Sequence, residues 1–257
     1  MKTSTLLALA TPAIAASIPP QADAADKPFV WGGDDTAITE VPWQIEFDVN
    51  GRFGCGGSII SNRHILTAGH CVQGQTASRI SIRVGSNQVG QGRSYKASKV
   101  QAHPKFRADN SGIDYDMAIV TLAQPLTFSD SVQAISIVDA APQAGADALL
   151  SGWGETGPDH NYPQTLQSVH YPIISKADCK RLNGNNWPTS DRFICALQPG
   201  GGKGSCYGDS GGPLVVGGKL AGSVSGGYEC AGARAPSTYA DLAHPEIRSF
   251  IKQAAGV

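Results

Sequence analysis

The sequence carries little charge and few aromatic residues. Charged side chains make up 16% of its 257 residues, aromatic side chains make up 7%, and the formal net charge is −1. No long run of one charge sign occurs, so we expect neither a nucleic-acid partner nor an anionic membrane surface. After the N-terminal segment no stretch approaches the roughly 20 apolar residues of a membrane span. No Asn-x-Ser/Thr sequon occurs either, which excludes N-glycosylation.

Residues 1–16 predict a secretory signal peptide. Lys2 is followed by an apolar stretch from Leu6 onward and by the small-residue pattern Ala13-Ile14-Ala15. An ordinary apolar N-terminal strand is the alternative. Residues 17–29 are polar, contain proline and show no apolar periodicity, which predicts a short propeptide. We therefore expect a soluble, extracellular protein whose folded part begins at Val30.

Six cysteines, an even number, predict three disulfides in a secreted chain, although the sequence alone leaves their pairing open. A zinc site is the alternative, but the cysteines lack the paired short spacings of such sites. We therefore expect no metal at the cysteines.

The 31 glycines suit many tight turns and an all-β fold. Short β-like runs bounded by turn residues recur along the chain. They are Gln44–Phe47, Ser58–Ile60, Ile80–Val84, Ala118–Leu122, Ala148–Leu150, Leu214–Val216 and Leu220–Val224. A small, turn-rich stretch at 138–145 predicts a boundary between two β-domains, residues 30–138 and 139–257. A C-terminal amphipathic helix is predicted from Pro245, with Ile247, Phe250 and Ile251 on one face and Gly256 after it.

Three motifs carry residues suited to nucleophilic catalysis. Ser210 lies among glycines in the segment Gly204–Leu214, where backbone N–H groups can converge on an oxyanion. A serine hydroxyl needs an imidazole to take its proton and a buried carboxylate to orient that imidazole. His70, in Ala-Gly-His-Cys, and Asp116, in Asp-Met-Ala-Ile, supply these types. Asp114 is a competing carboxylate, because two residues along a strand it would point to the same face.

At these motifs the chain resembles the chymotrypsin/trypsin family of secreted serine endopeptidases, from about Val30 to the C-terminus. The resemblance implies an all-β fold of two six-stranded antiparallel β-barrels with a C-terminal α-helix. It also implies peptide-bond hydrolysis through an acyl-enzyme, with His70, Asp116 and Ser210 as the catalytic residues. Polypeptide substrates and proteinaceous inhibitors are the expected partners of a monomer that needs no cofactor.

The resemblance also selects a disulfide pairing and an oxyanion hole. The implied bridges are Cys55–Cys71, Cys179–Cys195 and Cys206–Cys230. The backbone N–H groups of Gly208 and Ser210 would form the oxyanion hole.

An activation step is implied as well. Val30-Trp31-Gly32-Gly33 resembles the family's activation motif, although Trp31 stands where a β-branched residue is usual. The ammonium freed at Val30 would pair with Asp209. Because Phe29 precedes the cut, where a basic residue is usual, we expect self-activation in trans or activation by a similar protease.

The implied specificity pocket is formed by Gly204, Ser225, Gly227 and Ser237. Relatives that cut after Arg or Lys hold an aspartate where this chain has Gly204, so we expect cleavage after Phe, Tyr, Leu or Met. Glu229 beside the pocket is either a weak attractant for basic side chains or a solvated loop residue. No Asp or Glu occurs from Cys71 to Arg107, so we expect no calcium site in that segment.

Two other functions compete with an active endopeptidase. A catalytically silent relative would act as a binding or signalling protein, but such relatives usually lose a triad residue and this chain has lost none. An esterase of the α/β type would need the strand-helix alternation that this sequence lacks.

Overall fold

The computed structural model describes Met1 and residues 30–109, 112–157, 159–184 and 190–257. The predicted signal peptide, apart from Met1, and the predicted propeptide lie outside the described residues. The described strands are β1 (Asp34–Asp35), β2 (Gln44–Val49), β3 (Arg52–Ile59), β4 (His64–Thr67), β5 (Ile80–Val84), β6 (Arg93–Ala102), β7 (Arg107–Asp109), β8 (Gly112–Asp114), β9 (Ala118–Leu122), β10 (Asp147–Gly152), β11 (Gln167–Ile174), β12 (Phe193–Ala196), β13 (Pro213–Val216), β14 (Lys219–Gly227) and β15 (Ser237–Asp241). The described α-helices are α1 (Gly69–Val72), α2 (Lys176–Asn183) and α3 (Pro245–Ala255).

Six antiparallel strands close the first barrel in the order β2-β3-β4-β9-β6-β5. Apolar and polar residues alternate along β5, as a strand of the barrel requires. Ile80, Ile82 and Val84 are buried, while the residues between them are partly exposed. These side chains pack with Phe47 and Val120 in the barrel interior.

The second barrel has the strand order β11-β10-β13-β14-β15-β12 and is closed by pairing of β12 with β11. The short strand β1 adds to the outer side of β11. Along β11 the residues Val169, Tyr171 and Ile173 alternate into the core. The two closed six-stranded barrels confirm the predicted fold class, and the predicted boundary at 138/139 falls in the connection between β9 and β10.

Helix α3 forms where the sequence predicts it. Pro245 occupies its first turn, and Gly256 ends it with a left-handed φ of 74°. Its buried residues Ile247, Phe250 and Ile251 pack with apolar side chains from both barrels, including Ile119 and Leu220. The helix therefore covers the junction between the barrels.

The three disulfides pair as the resemblance implies: Cys55–Cys71, Cys179–Cys195 and Cys206–Cys230. The first ties α1 to β3, and the third ties the segment before Ser210 to the loop after β14. Within the described residues, no helix is both long and apolar enough to cross a membrane.

Candidate active site

Ser210 lies in a tight turn between β12 and β13 that is pressed against the first barrel. The Gly56 N–H of β3 donates to the Ser210 carbonyl oxygen at 2.8 Å. Gly211 follows with a φ of +78°, and a Cβ there would lie only 2.2 Å from Thr67 Oγ1. Glycine is therefore required at 211 both for its backbone conformation and for the close approach.

His70 is carried by the short helix α1, which directly follows β4. Its ring Nδ1 lies 2.8 Å from Asp116 Oδ2, and its backbone N–H donates to Asp116 Oδ1 at 2.9 Å. Cys71, the next residue, is held to β3 by its disulfide with Cys55. Both the backbone and the ring of His70 are thus fixed to one carboxylate.

Asp116 is fully buried and accepts a further hydrogen bond from Ser225 Oγ at 2.6 Å. Sequence reasoning placed Ser225 only in the wall of the pocket and missed this contact. The two residues are 109 positions apart, so no local pattern could have indicated their pairing. The backbone and ring of His70 and the Ser225 hydroxyl thus hold one buried carboxylate in place.

The pKa of the His70 imidazole is raised by this arrangement. Burial alone would lower it, but the hydrogen bond and the charge of Asp116 outweigh that effect. The same interactions would stabilise the imidazolium that forms when His70 accepts a proton.

The competing carboxylate, Asp114, does not share a face with Asp116, because the two residues are not on one strand. Strand β8 ends at Asp114, and Tyr115 takes a left-handed φ of +49°. Asp114 instead accepts two hydrogen bonds from Arg192, at 2.8 and 3.0 Å. Burial would raise the pKa of Asp114, yet the hydrogen bonds from Arg192 and Ser190 hold it below its usual value.

One cavity of about 690 Å³ brings the predicted residues together. His70 and Ser210 both line it, although no hydrogen bond joins their side chains among the contacts of the described residues. The predicted pocket residues Ser225 and Gly227 also line it. The other lining residues include Trp31, Ile113, Glu155, Val224, Tyr228 and Glu229.

Gly204 and Ser237, also predicted for the pocket, lie behind the lining. Ser237 Oγ accepts a hydrogen bond from the N–H of Ser205, which does line the cavity, at 3.1 Å. A Cβ on Gly204 would lie 3.1 Å from the same oxygen. The backbone at Gly204 is therefore closely packed against Ser237, and a larger residue at 204 would need room from Ser237.

The N–H groups of Gly208 and Ser210 have no protein acceptor within the part of the chain that the structure describes. Gly208 has a φ of +94°, and a Cβ there would lie 3.1 Å from both Gly154 and the Tyr162 ring. Two unpaired N–H donors in the turn that carries Ser210 meet one requirement of an oxyanion hole.

Val30 and Asp209 are both completely buried in the second barrel. Val30 belongs to the same core cluster as Leu150 of β10. Gly152, at the end of β10, lies against the Asp209 carboxylate, since a Cβ on Gly152 would come within 2.1 Å of Asp209 Oδ1. The Asp209 carboxylate accepts N–H groups from Gly154 and Cys206, each at 2.9 Å. No Lys, Arg or His of the described chain forms an ion pair with it, and burial raises its pKa to about 7.

The described residues offer one group with metal-like spacing, Cys55, His70 and Cys71. Both sulfurs belong to a single disulfide and are not thiolates, so this group does not fit a metal ion.

Comparison with known proteins assigns the family. The family model described as Trypsin matches residues 30–251. Among similar proteins, Trypsin 5G1 of Aedes aegypti is 38% identical over 231 residues, which cover 88% of this chain and 85% of that protein. Hypodermin-A of Hypoderma lineatum is 40% identical over 225 residues, which cover 86% of this chain and 85% of that protein. Trypsin alpha-4 of Lucilia cuprina is 37% identical over an alignment that covers 99% of this chain and 98% of that protein. With its two closed barrels and these relatives, the chain belongs to the chymotrypsin/trypsin-like family of serine proteases.

Proposed function

We propose that this protein is an active endopeptidase in which Ser210 is the nucleophile, His70 the general base and Asp116 the residue that orients His70. The observation that carries the proposal is the buried Asp116 carboxylate, which holds His70 Nδ1 at 2.8 Å in the cavity that Ser210 lines. A silent binding relative would have no use for this fully satisfied pair.

The proposed reaction runs in two halves. His70 Nε2 takes the Ser210 proton as Oγ attacks the peptide carbonyl, and the N–H groups of Gly208 and Ser210 bind the oxyanion. The imidazolium then gives the proton to the leaving amine, and the acyl-enzyme forms. Water attacks the ester in the same way, which releases the carboxylate product and restores Ser210.

We further propose cleavage after Phe, Tyr, Leu or Met. Ile113, Val224 and Tyr228 give the cavity an apolar lining. The floor position Gly204 supplies no carboxylate for a basic side chain. Several relatives carry the name trypsin, so cleavage after Arg or Lys is the alternative specificity.

Two glutamates line the cavity, and both have contacts of their own. The oxygens of Glu155 lie 2.8 Å from His160 Nδ1 and 3.0 Å from the Tyr162 hydroxyl. Glu229 is exposed, and its carboxylate lies 2.6 Å from the position that a Cβ on Gly232 would occupy. The Glu229 carboxylate therefore lies close to the backbone of Gly232 in its own loop. Neither carboxylate therefore replaces an aspartate at the pocket floor.

Secretion and proteolytic activation complete the proposal. The predicted signal peptide and the three disulfides support an extracellular location. A cut before Val30 would supply the ammonium that the buried Asp209 carboxylate lacks. Because Phe29 suits the proposed pocket, the enzyme would make this cut on other copies of itself, as a monomer that acts on polypeptides and responds to proteinaceous inhibitors.

A peptide library that varies only the residue before the scissile bond tests the proposal. The protein cut before Val30 is compared with Ser210→Ala, and we expect turnover after Phe, Tyr, Leu or Met that the variant loses by at least about 10³-fold. The Ser210→Ala precursor, produced alone, should also remain uncut at Val30. Self-maturation of that variant would contradict self-activation.

A pocket variant tests the specificity separately. Gly204→Asp combined with Ser237→Gly, which frees space at the 3.1 Å contact, should shift cleavage to Arg and Lys, whereas Ser237→Gly alone should keep the apolar preference. Cleavage after Arg or Lys by the unmodified enzyme would contradict the proposed specificity. Absence of any turnover would favour the silent relative.

A further inference from the structure

The turn that carries Asp116 has an unusual backbone. Tyr115 adopts a left-handed φ of +49°, a conformation that is rare for a bulky aromatic residue. The Met117 N–H donates to the Tyr115 carbonyl at 2.8 Å and closes a tight turn with Asp116 between them. The direction in which the Asp116 carboxylate points therefore depends on the conformation of Tyr115.

Arg192, from the segment before β12 of the second barrel, contacts two residues of this turn. Its Nη2 and Nε donate to the two oxygens of Asp114 at 2.8 and 3.0 Å. Its guanidinium also lies over the Tyr115 ring, with the central carbon 4.4 Å from the ring centre. A planar guanidinium is suited to hold a carboxylate and an aromatic face together.

Glu246, in the first turn of α3, holds the other end of the Tyr115 side chain. The Tyr115 hydroxyl donates to Glu246 Oε2 at 2.5 Å. Lys105 pairs with the other Glu246 oxygen, and the His103 ring stacks on the tyrosine ring with their centres 4.5 Å apart. Contacts from the C-terminal helix and from the second barrel thus meet on one residue of a first-barrel turn.

We propose that Arg192 and Glu246 are positioning residues that keep Tyr115 left-handed and thereby aim Asp116 at His70. We call Asp114, Tyr115, Arg192 and Glu246 the Tyr115 clamp. The inference rests on the proposed function, because it matters to activity only if the Asp116–His70 pair is catalytic. None of the four clamp residues lines the cavity, so they act through Asp116 and not on the substrate.

The sign of the expected pKa change identifies this mechanism. If Asp116 loses its place, the His70 imidazolium loses the carboxylate that stabilises it, and the pKa of His70 falls. Removing Arg192 also takes from Asp114 the closer of its two guanidinium partners, while Arg107 stays 3.7 Å away. The loss of that positive charge alone would raise the pKa of His70. For Arg192→Gln a fall therefore reports lost positioning, whereas a rise reports only the changed charge. For Glu246→Gln the lost negative charge alone would lower the pKa of His70, so kcat is the readout for that variant.

The experiment compares Arg192→Gln and Glu246→Gln with Arg181→Gln, measured on the protein cut before Val30. Arg181 is a matched control, since it also donates to an aspartate, Asp178, at 2.8 Å but lies on the exposed surface of α2. We expect Arg192→Gln to lower kcat by about 10- to 100-fold with KM nearly unchanged. The acid limb of the kcat/KM profile should move to lower pH, and Glu246→Gln should lower kcat by a smaller factor. Arg181→Gln should leave all three quantities unchanged.

A second substitution provides a rescue. Tyr115→Gly in the Arg192→Gln protein removes the conformational penalty at this position, because glycine adopts positive φ as readily as negative φ. We expect this double variant to recover several-fold of the lost kcat. Should Arg192→Gln fail to fold, Arg192→Lys provides the pH comparison, because it keeps the positive charge but loses the planar guanidinium. Glu246→Gln then provides the comparison of kcat.

Unchanged kcat and an unmoved acid limb in a folded Arg192→Gln protein would overturn the inference, even if its melting temperature fell. An acid limb that moved to higher pH would also overturn it. Failure of the proposed function is distinguishable, because then the unmodified enzyme would be inactive or would be indifferent to Ser210→Ala.

Discussion

Glu46 is a single side chain, outside the site, that makes folding depend on pH. It lies in β2 with 4% of its surface exposed, and its carboxylate accepts the Gly90 N–H at 2.8 Å. Burial raises its pKa from 4.5 to about 7; the nearby Asp48 also raises it, and Arg83, at 3.9 Å, opposes the shift. The folded chain therefore binds more protons than the unfolded chain between these values. Its free energy of unfolding falls as the pH rises from 4.5 to 7 and stays reduced above pH 7.

Replacing Glu46 by glutamine should remove this pH dependence. The glutamine amide would keep an oxygen for the Gly90 N–H without placing a charge at this buried position. The gain in unfolding free energy at about pH 8 should exceed the gain at about pH 4.5 by about 3 kcal/mol. Urea unfolding of Ser210→Ala protein, which cannot digest itself, measures the difference. The exposed Glu40→Gln serves as the control, and a gain independent of pH would contradict the prediction.

At the scale of elements, α2 shows how a side chain starts a helix. Ser175 Oγ accepts the Asp178 N–H at 3.0 Å and donates to the Asp178 carboxylate at 2.7 Å. The helix that follows is only eight residues long and buries little beyond Cys179 and Asn183. A short helix with a small apolar face depends strongly on its cap.

We therefore expect Ser175→Ala to lower the free energy of unfolding by about 1 kcal/mol. Ser249→Ala is the matched control, because Ser249 lies inside α3, away from its buried face, where alanine is a better helix former. Urea midpoints of both variants in the Ser210→Ala protein give the comparison. If Ser175→Ala lowers the urea midpoint no more than Ser249→Ala does, the Ser175 cap does not stabilise the protein.

The elements that the sequence predicted are those with a regular apolar period. All seven predicted strand cores lie in observed strands apart from the single terminal residue Ile60, and α3 begins at the expected proline. Helix α2 was not predicted, because its apolar face is too small to leave a period, and only the pair Ser175 and Asp178 could have indicated it.

The site divides in the same way. The motifs around His70, Asp116 and Ser210 predicted residues that the structure brings into one region. The Ser225 contact, the divergence of Asp114 and the Arg192 contacts were not predictable, because each depends on a turn angle or on residues distant in sequence. A further contact between residues distant in sequence joins Arg83 to Asp48 of β2 at 3.0 Å. The segment from Cys71 to Arg107 has no acidic residue of its own, so its sequence did not indicate this ion pair.

At the scale of the whole molecule, the proposed activation step would link the turn that carries Ser210 to the start of the folded chain at Val30 through Asp209. In the uncut chain Asp209 is fully buried beside two N–H donors, and its pKa is raised to about 7 by burial. The unfolded chain loses the same proton near pH 3.8. Stability of the uncut chain therefore falls as the pH rises between these values, and above pH 7 the full cost of a buried carboxylate remains.

A cut before Val30 should remove that cost by supplying an ammonium. We expect cleavage of the Ser210→Ala protein to raise its unfolding free energy more at about pH 7.5 than at about pH 5, by on the order of 2–3 kcal/mol. Asp209→Asn provides the control, because without a titrating group its response to cleavage should be the same at both pH values. An equal response in the protein that keeps Asp209 would mean that the new terminus does not reach this carboxylate. Other contacts would then have to order Asp209. Cleavage would also have to act on the Gly208 and Ser210 N–H groups through residues other than Asp209.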